Sequence, residues 1–104
     1  MKRSSPSWLQ RRRPTKLMVM LLTYDSSADA AYIYVQAKPQ VARSITIDDF
    51  RTVDLNEANE VVGIEILSAS GGFELEDIIM RFKLESRGEE LRQAAAEFRP
   101  AAQV

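Results

Sequence analysis

The groups of this chain that could do chemistry are carboxylates, lysine, tyrosine, hydroxyls and backbone amides. Asp25, Asp29, Asp48, Asp49 and Glu65 are spread along its middle, and two such groups brought together could act as general acid and base or hold a magnesium ion. Asp54, Asn56 and Glu65 also have the spacing of three ligands in a calcium-binding loop. Ala58 stands where that loop needs a further oxygen and Asn59 where it needs glycine, so a hairpin with an exposed glutamate is the better reading. Ser70-Gly71-Gly72 ahead of a helix has the composition of an anion-binding nest. Glu74, Glu76 and Asp77 follow at once and would set carboxylates against any phosphate, which favours a plain turn before a helix start.

The chain has no cysteine and no histidine. This excludes disulfides, thiolate nucleophiles, imidazole- or sulfur-ligated metals and any Ser–His–Asp triad. Small acidic domains carry dispersed carboxylates for solubility alone. No catalytic, cofactor-binding or metal-ligating residues are therefore assigned, no cofactor is implied, and a non-enzymatic role is expected.

These residues need elements to position them. A chain of 104 residues with 45% hydrophobic content can build one core, and is short for two. Its net charge of −1 hides an asymmetry. Lys2, Arg3, Arg11, Arg12, Arg13 and Lys16 lie in the first 16 residues with no acid, which leaves residues 17–104 at −7. The main body thus repels nucleic acid and suits basic partners. Residues 1–16 read as a disordered basic tail or as a start codon placed too early, with Met18 or Met20 as the natural first residue. Arg11–Arg13 could bind nucleic acid as an arm, and a secretory signal is a poor fit because the following apolar run is too short. Neither nucleic-acid nor membrane binding is expected, and the missing cysteines suit a cytoplasmic location.

Periodicity then divides the body in two: a β-meander domain over 17–72 and a helical extension over 73–99 packed on the sheet. Leu17–Tyr24 is apolar on both faces and predicts a strand covered on both sides. Asp25–Ala30 is a turn in which Asp25 and Asp29 can accept backbone N–H bonds. Ala31–Gln36 alternates, with Ala31, Ile33 and Val35 on one face and Tyr32, Tyr34 and Gln36 on the other. Ser44–Asp48 and Arg51–Leu55 are extended segments with a bulge or bend at Asp48-Asp49. Asn56–Asn59 is a hairpin loop with Asn59 at positive φ. Val61–Leu67 is the last strand, with Val62, Ile64 and Ile66 sharing a face. Leu75, Ile78, Ile79 and Phe82 predict one amphipathic helix, and Leu91, Ala94, Ala95 and Phe98 a second, opened by a Ser86–Glu89 capping box and stopped by Pro100. Ile78, Met80, Phe82 and Leu84 also alternate as a strand would, but the acidic flank suits a helix start. The pair has the outline of a helix-turn-helix, yet Glu89, Glu90 and Glu97 on the second helix are unsuited to reading bases. The expected class is α+β: a small antiparallel meander of four or five strands with two C-terminal amphipathic helices.

Tyr24-Asp25-Ser26-Ser27-Ala28-Asp29-Ala30-Ala31-Tyr32-Ile33 resembles a motif written YDxxADAxYI, and Val61–Ser70 resembles its companion VVGIEILxAS. In this order and separation the two resemble an uncharacterised bacterial family of short proteins, a domain of unknown function, over about Leu21–Ser70. The sequence departs from that pattern in having Ser26-Ser27 for Pro-Glu, Ala31 for Leu and Asn59 for Gly. The resemblance implies a small antiparallel meander and a start just before the Tyr-Asp pair. It implies no reaction, and it associates such proteins with antitoxin-like partnership.

Tyr32, Tyr34, Gly63 and Leu67 share strand faces that are neither plainly core nor plainly solvent, and tyrosines in such a place suit an interface. Tyr24, Asp25, Asp29, Tyr32, Tyr34 and Glu65 are the candidate interaction surface. The expected function is a protein-interaction module, as a homodimer or with a basic protein partner, and antitoxin-like in its most concrete form. The alternative is a domain that binds a small ligand or divalent cation.

Overall fold

A computed structural model of the protein describes residues 21–37 and 39–98. Five strands form one antiparallel sheet: β1 (Leu21–Asp25), β2 (Ala30–Tyr34), β3 (Arg43–Thr46), β4 (Arg51–Leu55) and β5 (Val61–Leu67). Two helices follow, α1 (Glu76–Arg81) and α2 (Gly88–Glu97), with 3₁₀ turns at Ala69–Gly71 and Glu85–Arg87. The α+β class stands as the sequence predicts. The disordered tail, the early-start reading and Pro100 lie outside the described residues.

The strand order is β1-β2-β5-β4-β3. The meander expected from the sequence holds for β3, β4 and β5, and β1–β2 is a hairpin. The connection from β2 spans the sheet to its far edge instead of stepping to a neighbour, which gives β2 to β5 the order of a Greek key. β5, the longest and most apolar strand, therefore sits at the centre, paired with β2 and β4.

Register sets the two faces. One row across all five strands reads Leu22–Ile33–Ile64–Val53–Ile45, and the next reads Tyr24–Ala31–Ile66–Arg51. Ile33, Ile64 and Val53 are fully buried. Leu75, Ile78, Ile79, Leu84 and Leu91 from the helical region join them in one cluster. Burying an Ile or Leu of this kind stabilises the fold by about 1.5–3 kcal/mol. A cluster drawn from every strand and both helices is thus the principal source of stability.

Four details differ from the sequence reading. First, β1 is an edge strand: Leu22 packs inward while Leu21 is 58% exposed, so its described part is covered on one side only. Second, Asp48-Asp49 forms a full reversal between β3 and β4. Asp48 accepts the Phe50 amide at 3.0 Å, and the Ile47 amide donates to the Arg51 carbonyl at 2.9 Å.

Third, the bulge lies at Val62. Pairing moves from Asp54↔Gly63 to Leu55↔Val61, so one extra residue stands on β5. As a result Val61, and not Val62, joins Ile64 and Ile66 in the cluster. The Val62 carbonyl accepts the Val35 amide at 3.0 Å. Fourth, the Ser86–Glu89 capping box does not form. The 3₁₀ turn carries the chain straight into α2, which has no side-chain cap. Arg87 instead pairs with Glu90 at 2.7 Å and donates to the Val35 carbonyl at 3.2 Å, which fixes α2 to the end of β2.

Helix, not strand, is the structure of the segment after Leu75. It ends in a Schellman motif: the Leu84 amide donates to the Ile79 carbonyl at 2.8 Å and the Lys83 amide to Met80 at 3.3 Å, with Lys83 at φ 57°. The motif turns Leu84 back into the core. α1 is also tied to the sheet by Arg51, whose side chain is 13% exposed. It forms a fork-to-fork pair with Asp77 at 2.7 and 2.9 Å, and reaches Asp48 and the Glu74 carbonyl. These bonds hold the carboxyls of Asp48 and Asp77 below their ordinary value, each chiefly through the hydrogen bond from Arg51.

Candidate interaction face

The face of the sheet opposite the helices carries two complete rows. One is Leu21–Tyr34–Gly63–Asp54–Ser44, and the other is Thr23–Tyr32–Glu65–Thr52–Thr46. Asp25, Ala30 and Leu67 form a shorter third row. Alternation alone puts them here: each is the strand neighbour of a core residue.

Its centre is built by a glycine. A Cβ on Gly63 would overlap the ring of Tyr32, so the missing side chain lets that ring lie across β5. The Tyr32 hydroxyl thereby reaches β4 and donates to Asp54 Oδ2 at 2.6 Å. Asp54 Oδ1 accepts from the Ser44 hydroxyl on β3 at 2.6 Å. On the other flank, Tyr34 meets Tyr32 edge-to-face, with centroids 4.7 Å apart and planes at 72°, the arrangement ring quadrupoles favour. A chain of contacts thus runs Tyr34–Tyr32–Asp54–Ser44 across four strands. The phenol of Tyr32 is held well above its ordinary pKa, first by burial and then by its bond to Asp54. It is a fixed donor at neutral pH and is unsuited to act as a base.

Glu65 lies beside Tyr32 and Thr52 in its row. It is partly buried and has no hydrogen-bond or ion-pair partner among the described residues. The strand residues of this face include Asp25, Asp54 and Glu65 but no lysine or arginine.

The six candidate residues divide. Tyr32, Tyr34, Glu65 and Asp25 are on this face. Tyr24 points to the helix side, where its ring meets Phe98 edge-to-face at 5.0 Å, and Phe98 in turn packs on Phe73 at 4.9 Å. Asp29 is in the β1–β2 turn at φ 51°. Its carboxylate accepts from the Tyr24 hydroxyl at 2.7 Å and from the Ser70 amide and hydroxyl at 2.9 and 2.8 Å, while its carbonyl accepts the Ala69 amide. Asp29 therefore fastens the first hairpin to the turn after β5. The hydrogen bond between Tyr24 and Asp29 raises the phenol pKa and, with help from Ser70, lowers that of the carboxyl. Asp25 makes the expected turn contact, accepting from the Ser27 amide and hydroxyl at 3.0 and 2.7 Å. The polar residues of both motifs thus largely hold the fold together.

The other chemical readings find little geometry. Asp54, Asn56 and Glu65 do not converge: Asp54 bonds Tyr32 and Ser44, while Asn56 is spent on its own loop through Ala58 and Glu60. No group of three or more metal-ligating side chains is present among the described residues. Asn59 has φ 66°, as its turn requires. Alternation already placed Gly63 with Glu65 on this face, and sequence reasoning missed Asp54 and Ser44 as members of it. The alternation of Asp54 with Val53 and Leu55 was the available signal.

Residues 21–70 match the model of a family described as protein of unknown function (DUF2283). No curated protein and no solved structure matches the chain. The matched segment begins with β1 and ends at Ser70, the residue that Asp29 holds, so it covers the whole sheet together with its fastening. Residues 21–70, which hold the whole sheet, are thus a domain of this family of proteins of unknown function.

Proposed function

We propose that this protein is a non-enzymatic interaction module whose binding surface is the sheet face opposite the two described helices. One observation carries the reading: both helices give their buried side chains to the same face, leaving the other to Tyr32, Tyr34 and Glu65. A wide β surface with tyrosines at its centre has the composition of a protein interface. The partner is a second copy or a basic protein, and an antitoxin-like pairing with a basic protein is the most specific form. None of the described helices is long and apolar enough to cross a membrane, in keeping with a partner met in water.

The test is affinity recovery from the native host with three forms of the full chain: wild type, Tyr34→Lys/Glu65→Lys, and Glu89→Lys. Glu89 lies on α2 with an 89% exposed side chain. A partner retained by wild type and Glu89→Lys and lost by the face variant supports the reading. A partner retained by all three, or none with any, contradicts it.

A further inference from the structure

We infer that the sheet face opposite the described helices receives an arginine-bearing basic segment of a partner protein, with Glu65 as the ion-pair acceptor, and does not receive a second copy. This rests on the interface reading above and identifies the occupant. Charge makes the first argument. The face carries three acids and no base among its described strand residues, so two copies face to face would oppose like charges, which suppresses that pairing.

The second argument is the state of each carboxylate. Asp54 has both oxygens engaged by hydroxyls, and Asp25 is turned to Ser27. Glu65 is at the middle strand of the sheet, partly shielded from water, and has no partner among the described residues. Partial burial strengthens its attraction for a cation.

The neighbours of Glu65 select among cations. Tyr32 stands beside it in register, and Tyr34 abuts Tyr32. A guanidinium can accept this combination as a unit: its planar fork matches a carboxylate in two parallel bonds while its flat face stacks on a phenol ring. A lysine ammonium is a strongly hydrated point charge and makes poorer use of both. Thr23, Thr52 and Thr46 complete the same row, so an extended segment laid across the strands meets hydroxyls on either side of the central carboxylate.

The test is an NMR titration of the full isotope-labelled chain with octa-arginine and octa-lysine peptides at physiological salt. The expected result is a set of shifted amides centred on Tyr32, Tyr34, Thr52 and Glu65, with octa-arginine bound more tightly. Glu65→Gln weakens octa-arginine by about tenfold, as loss of a partly desolvated charge pair does. Glu57→Gln, an equal charge change on the β4–β5 loop, leaves it unaltered. Equal weakening by both variants means diffuse attraction and overturns the inference, as does equal affinity for the two peptides. Shifts of the same amides with protein concentration alone would assign the face to a second copy; the interface reading would then survive and the arginine assignment would not. If neither peptide nor concentration moves those amides, both fall.

Discussion

The two faces of the sheet have the same strands, the same register and opposite chemistry. The helix-covered row Leu22–Ile33–Ile64–Val53–Ile45 is wholly apolar, and the adjacent open row Thr23–Tyr32–Glu65–Thr52–Thr46 holds no aliphatic side chain but those of threonine. Polar atoms on the covered side are few and paired at its margins, by Arg51 with Asp77 and by Tyr24 with Asp29. On the open side they run through the centre, and one of them, Glu65, is unpaired among the described residues. A sheet can be stable with one face packed and the other solvated. The covered face therefore suffices for folding, and the open face is released from that demand. Substitutions should separate along the same line.

The largest effect belongs to the covered face. Ile64→Ala removes a fully buried side chain between Ile33 and Val53 and should cost about 3–4 kcal/mol in urea unfolding followed by circular dichroism. A cost below that of an exposed substitution would break the comparison at once. Arg51→Met keeps the apolar stem and removes the tie to α1. Loss of charge-assisted bonds to Asp77 and Asp48 should cost about 2 kcal/mol, read as a lower urea midpoint.

Gly63→Ala should disturb folding from the open face, because the new methyl group meets the Tyr32 ring. Overpacking of this kind costs about 1–2 kcal/mol. Tyr32→Ala in the same chain should relieve it, so the double variant should be less damaged than the sum of the two single changes. A simple sum would mean that the ring does not lie on Gly63.

Asp29 supplies a pH test. Its carboxyl is lowered from an ordinary value of 3.8, first by the Tyr24 hydrogen bond and then by Ser70. The sign follows from linkage: the unfolded chain takes up the proton at higher pH, so the stabilisation is complete above the unfolded pKa and is lost as pH falls through the folded one. Wild type should exceed Asp29→Asn in melting temperature at neutral pH, and the gap should narrow from about pH 4 downward. A gap independent of pH would assign the effect to shape and not to charge. The smallest effect is expected at Glu65, where Glu65→Gln breaks no bond among the described residues and should leave stability within about 0.5 kcal/mol of wild type.

Much of this arrangement was legible in the sequence, because alternation reports face. Ala31–Ile33–Val35 against Tyr32–Tyr34 needs only the two-residue period of a strand. Asn59 at positive φ and the acidic start of α1 follow from local rules too. The features that escaped are those in which alternation is ambiguous or the partner is remote. Val61 and Val62 are both apolar, so nothing local marks the bulge that places Val61, and not Val62, with Ile64. Strand order is equally silent, since β2 has the same pattern whether its neighbour is β3 or β5. The Asp29–Ser70 contact joins residues 41 apart, and Arg51 shows its purpose only once α1 is in place. On the open face the sequence pointed to Tyr32, Tyr34 and Glu65. Gly63 followed from the same alternation, but its role as the seat of the Tyr32 ring, and the membership of Asp54, emerged only from register.

The central claim is that folding is done by one face and recognition by the other. Its most direct test is site-specific photo-crosslinking in the native host, with a benzophenone side chain placed at Tyr34 on the open face or at Met80, which is 67% exposed on α1. The account predicts a discrete adduct with a basic protein from Tyr34 and none from Met80. An adduct from Met80 with Tyr34 unreactive would contradict it, and would move the binding surface to the helices.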